Sequence, residues 1–66
     1  MTSRYRKVVA EIRAAPDTGL WPALKDFLRI TEEMLLIHAR RSPCWRARQR
    51  RRIIRMYHTA VRKSAL

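Results

Sequence analysis

Nine arginines and one lysine lie between Arg40 and Leu66, with no aspartate or glutamate among them. The guanidinium group is planar, permanently charged and forked. It binds phosphate oxygens or guanine edges with two parallel hydrogen bonds, which lysine cannot do. The residues before Arg40 hold six cations and five acids and are close to neutral, so almost all of the formal net charge of +11 belongs to the C-terminal part. A surface of one sign recruits polyanions: nucleic acid, an anionic membrane or an acidic protein face.

Placed on a helix, Arg48, Arg51, Arg52, Arg55, Arg62 and Lys63 fall on one side. From Arg48 to Arg62 this side runs for about 21 Å, enough to follow several phosphates. The plain alternative is a solvated face that keeps the protein soluble, with its arginine content inherited from a GC-rich genome. Such faces usually mix Lys with Glu, and this one has no balancing acid. A second basic group, Arg40, Arg41 and Arg46, surrounds Trp45. An exposed Trp there could stack on a base, enter a membrane interface or anchor a protein partner. Equally, it could fold back and close the end of the core. Trp21, beside Leu20 and Pro22, reads as a core plug.

Other chemistries find little support. His38, Cys44 and His58 are the soft metal-ligand candidates and show no CxxC or HxxxH spacing, so no metal or cofactor is expected. Cys44 reads as a small buried residue in a first helical turn. If exposed, it would sit at a positive helix end and be prone to oxidation or modification. The five carboxylates are scattered, and there is no Gly-rich loop and no Ser/His/Asp set on one face, so the chain reads as non-enzymatic. A ribonuclease using His and Arg is the remotest reading.

The elements that must position these residues are helices. Hydrophobic content is 47%, too high for a disordered tail, and no strand alternation or internal repeat is present. Pro16-Asp17-Thr18-Gly19 and Arg41-Ser42-Pro43 punctuate the chain. Helix 1 is expected over about 3–15, with Tyr5, Val8, Val9 and Ile12 as a narrow apolar stripe, Thr2 or Ser3 as cap and Pro16 as stop. The Arg-rich, amphipathic stretch Met1–Ala15 also has the composition of a mitochondrial transit peptide, but an ordinary first helix is the preferred reading. Helix 2 is expected over about 20–40, with Pro22 in its first turn. Helix 3 is expected over about 43–63, opened by Ser42 as N-cap and Pro43 at the first position. A join of two to three residues between helices 2 and 3 would force them antiparallel. Glu33 would then approach Arg50 or Arg51, and Asp26 would approach His58. A DNA-reading helix-turn-helix fits poorly, because helix 2 is long and the turn holds Ser-Pro rather than Gly.

The expected fold is therefore all-α: a short N-terminal helix followed by a long antiparallel helical hairpin, in one small domain spanning 1–66. The apolar residues of helix 2 spread over roughly 200°, about twice an ordinary surface stripe. Leu24, Leu28, Thr31, Leu35 and His38 make one flank. Phe27, Ile30, Met34 and Ile37 make the other, at the 3-4-3 spacing of a coiled-coil seam. With 66 residues, a single cysteine and no metal, self-association is the natural source of extra burial, and the Phe27–Ile37 flank is the expected homodimer interface. The lone thiol and the lack of an apolar signal segment point to the cytoplasm.

The leading functional expectation is a regulatory protein binding DNA or RNA through the Arg face of helix 3. The alternative is a protein-interaction regulator, for example a small phage- or plasmid-encoded inhibitor or anti-activator of a host regulatory protein. It would dock on an acidic surface, with Leu36 and Trp45 as anchors. Membrane binding is disfavoured, since the apolar face of helix 3 is needed against helix 2.

Overall fold

In a computed structural model that describes residues 3–64, the chain forms three helices and no strand among those residues. They are α1 (Ser3–Ala14), α2 (Trp21–Ile37) and α3 (Pro43–Ser64). Thr2 and the side chain of Ser3, expected to cap α1, lie outside the described part. Pro16 ends α1 as its geometry requires, and the Ala15 N–H donates to the Ile12 carbonyl at 3.2 Å in a tightened last turn. The chain then reverses through Gly19, whose φ of 58° is the left-handed conformation that a side chain resists. Lys25 fixes this turn from outside, donating to the Ala15 carbonyl at 2.6 Å and to Asp17 at 2.8 Å.

α2 stops at Ile37, short of the expected end near Arg40. The His38 N–H still donates to the Met34 carbonyl, but its φ of −103° and ψ of 41° leave the helix. The link to α3 is thus His38–Ser42, longer than the two to three residues expected. Ser42 precedes a proline and is steered away from helical dihedrals, so α3 starts as a separate helix. Ser42 then caps α3. Its Oγ accepts from the Trp45 N–H at 3.2 Å, and Pro43 takes the first helical position.

Each helix packs on the other two. Trp21, at the start of α2, lies 6.1 Å from Tyr57 near the end of α3, while His38 beyond the end of α2 lies 5.7 Å from Trp45. α3 therefore runs back along α2. α1 runs parallel to α3, with Tyr5 beside Arg50 and Glu11 bonded to Tyr57. Val8, Val9 and Ile12 of α1, Leu24 and Leu28 of α2, and Ile53 and Ala60 of α3 form the core. Ile12 and Ile53 have no exposed surface at all. On α2 only the Leu24–Leu28–Thr31 flank is buried. Phe27 is half-covered, while Ile30, Met34 and Ile37 retain 47%, 39% and 76% of their surface in water. α1 and α3 together cannot wrap an arc this wide.

Ile53→Ala should remove about 2–5 kcal/mol, through lost burial and the cavity left behind. That is comparable to the whole stability of a small single core, so a cooperative thermal transition followed by circular dichroism should be lost. Gly19→Ala should cost only about 1–2 kcal/mol of backbone strain, because no atom lies within 4 Å of an added Cβ.

Candidate nucleic-acid interface

The arginines of α3 separate into two sets according to their place around the helix. Positions 46, 50, 53, 57 and 60 follow a 4-3-4-3 spacing, which is the inward seam. Arg46 and Arg50 are accordingly half-buried. Arg46 borders a hollow with Tyr5, Glu32, Leu35, Leu36 and Arg50, and its Nε is enclosed without a hydrogen-bond partner. The guanidinium of Arg50 lies 5.9 Å from the ring centre of Tyr5. Arg48, Arg51, Arg52, Arg55, Arg62 and Lys63 are exposed on the outer side. Of these, Arg52 rests over the Phe27 ring at 5.5 Å. The inward turn of Arg46 could have been read from its spacing of seven residues to Ile53.

At the α2–α3 link, Arg40 and Arg41 are exposed and Trp45 is half-buried. Trp45 meets the edge of His38 and carries Arg41 over its ring at 5.3 Å. It therefore folds back on the end of the helix pair with Arg41 already on its ring, which leaves less of it for stacking on a base. Cys44 is exposed, contrary to the expected burial: it occupies the second position of α3, on the side away from Ile53.

Three of the five acids, Asp17, Glu32 and Glu33, are paired away from α3. Among the described residues the ion pairs are Arg13–Glu32 at 2.7 Å, Lys25–Asp17 at 2.8 Å and Arg29–Glu33 at 3.1 Å. Glu33 thus pairs one turn away on its own helix rather than with Arg50 or Arg51. None of these pairs uses a cation from Arg40 to Lys63. These exposed pairs add little to stability, so their importance here is negative: they leave the α3 cations without an ion-pair partner among the described residues. The remaining polar contact to α3 is Tyr57, whose hydroxyl donates to Glu11.

Both tyrosines are shifted above their ordinary value of 10.0. Burial is the main cause for Tyr5, with Glu32 adding to it against the opposing pull of Arg50 and Arg13. For Tyr57 the main cause is the hydrogen bond to the Glu11 carboxylate, with burial next.

Among the described residues, no three His, Cys, Asp or Glu side chains come together as a metal set, and no helix is long and apolar enough to cross a membrane. An apolar hollow of about 240 Å³ lies between the start of α2 and the second half of α3, bordered by Leu20, Ala23, Leu24, Arg55, Met56, Thr59 and Ala60. No family model, curated protein or solved structure matches the chain.

The tyrosine shifts carry a sign. Folding favours the protonated phenols, so their contribution to stability is complete below about pH 10 and is lost as pH rises through the raised values. Titration of tyrosinate absorbance should show both residues ionising above 10.0 in the folded protein. Glu11→Gln should bring Tyr57 back toward that value and leave Tyr5 where it is.

Proposed function

We propose that this protein is a small nucleic-acid-binding regulator that uses the outer side of α3, with Arg40 and Arg41 continuing the surface past the link. The supporting observation is a line of exposed arginines, none of them in an ion pair among the described residues. Binding works by neutralising phosphates and releasing counterions. α3 has 22 residues and spans about 33 Å, which suits contacts along a backbone better than readout of a few base edges. The protein works as a homodimer through the Phe27, Ile30, Met34 and Ile37 flank, which doubles the basic surface. It needs no cofactor and carries out no chemistry, and its place is the cytoplasm.

A second reading rests on Leu36 and Ile37, which are 78% and 76% exposed at the end of α2, beside the link arginines. Large apolar residues rimmed by charge are the anchors of protein interfaces. In this reading the chain masks an acidic, partly apolar surface on a larger regulatory protein.

Fluorescence anisotropy with labelled duplex DNA and RNA separates the two. Reversing Arg48, Arg51, Arg52 and Arg55 to Glu should abolish binding. The double variant Arg51→Glu/Arg62→Glu should lower the slope of log affinity against log salt by about 2, one for each phosphate that is no longer neutralised. Leu36→Ala should leave nucleic-acid affinity unchanged. If Leu36→Ala weakens capture of a partner protein while the arginine reversals leave nucleic-acid binding intact, the second reading stands and the first falls.

A further inference from the structure

We infer that the uncovered face of α2 is built to receive α2 of a second copy of this chain, side by side and parallel, with Asp26 and Glu33 of each copy meeting Arg48, Arg52 and Arg55 of the other. The inference rests on the homodimer proposed above and names its geometry.

The face has three bands. Its middle is apolar: Ile30, Met34 and Ile37, all exposed, run for about 10 Å along α2 at a 4-3 spacing. The band leads on to Leu20 and Met56, also exposed, at the hollow between α2 and α3. Along the α3 side of the band stand Arg48, Arg52 and Arg55. Arg52 is fixed there by its contact with Phe27, and Arg55 by its place at the hollow. Along the other side, at about 100° per residue, stand Asp26 and Glu33, seven positions apart and both exposed. Asp26 has no ion-pair partner among the described residues, and Glu33 has only Arg29 of its own helix. α2 is also the one described helix in which acids outnumber bases.

An acid band, an apolar band and a basic band in that order form a self-complementary surface. Two copies can bring the apolar bands together about a two-fold axis in two ways. With the axis across the helices, each α3 falls beside the other α3 and two rows of arginines oppose. With the axis along the helices, α3 of each copy falls beside the acid band of the other. Heights are preserved in this second arrangement. The Phe27–Arg52 contact sets Asp26 level with Arg52, and the Phe27–Arg52 and His38–Trp45 contacts together set Glu33 between them at about the level of Arg48. The acids and arginines therefore meet in register, and α2 of the second copy lies in the groove between α2 and α3.

Other occupants fit the three bands less well. An anionic lipid surface or an acidic amphipathic helix would satisfy the arginines and be repelled by Asp26 and Glu33. Nucleic acid has nothing to place on the apolar band. Only a partner with both a basic and an acidic edge satisfies the whole face, and the chain carries both.

Sedimentation of the purified protein and two variants tests this. Wild type should be dimeric. Asp26→Arg/Glu33→Arg makes both edges basic, and Arg48→Glu/Arg52→Glu makes both acidic. Each variant alone should dissociate about 100-fold more readily. An equimolar mixture of the two should dimerise nearly as well as wild type, since each altered edge then faces its complement. All four side chains are exposed, so far-ultraviolet circular dichroism should show wild-type helix content in both variants. Ile37→Asp, in the apolar band, should be monomeric alone and in any mixture. A monomeric wild type at high concentration overturns the homodimer and this geometry together. A dimeric wild type whose edge variants stay dimeric alone, or fail to associate when mixed, overturns the parallel pairing and leaves the homodimer standing.

Discussion

α3 is held to the rest of the molecule by apolar contact, without an ion pair of its own among the described residues. Ile53 is wholly enclosed, Ala60 nearly so, and Ile54 and Tyr57 pack at their side. This helix carries every cation between Arg46 and Lys63 and no acid, so its charges repel one another along its whole length. Among the described residues, that repulsion is offset by the burial of a few residues, the Tyr57–Glu11 hydrogen bond and three guanidinium–ring contacts at the edges of the bundle, each of the ring contacts worth about 0.5–1 kcal/mol when exposed. The cations on its outer side are therefore exposed without an ion-pair partner among the described residues. In a domain this small, stability and the basic surface are set against each other, and any bound polyanion relieves the conflict.

The same shortage of burial shapes α2. A helix with apolar residues over two flanks needs neighbours on both, and a chain of this length supplies them for one. Leu24 and Leu28 go inside with Val8, Val9 and Ile12. Ile30, Met34 and Ile37 remain in water. The proposed self-association at that flank and the proposed polyanion binding at the outer side of α3 answer one deficit of apolar surface and one of counter-charge. The two proposed surfaces adjoin along Arg48, Arg52 and Arg55 and would share some of these side chains.

Much of the architecture was legible in the sequence where a residue's covalent geometry acts alone. Pro16, Gly19 and the Ser42-Pro43 pair mark turns because of what their own dihedrals and hydrogen-bonding groups permit. What the sequence left unread depended on tertiary position. The end of α2 at Ile37 rather than near Arg40 is settled by how the link must reach α3. Cys44 was expected inside because a small sulfur side chain usually is, yet its place on the side of α3 away from Ile53 leaves it in water. Glu33 has Arg29 one turn away on its own helix, and a local pair wins over a reach across the bundle. Within the candidate site, the spacing grouped the outward arginines of α3, but Arg46 was placed with the exposed link arginines around Trp45. Charge density drew attention to the residue type, while its seven-residue offset from Ile53 decided its direction.

Phosphate-backbone binding by the outer side of α3 is the proposal on which the functional reading depends. The most direct measurement is the affinity of the wild-type protein for labelled duplex DNA and RNA across a salt series. Submicromolar binding near physiological salt is expected, with a linear fall of log affinity with log salt and a slope of about −4 to −6 for five or six phosphate contacts. Binding confined to the lowest salt would contradict it and leave the arginines without a polyanion to explain them.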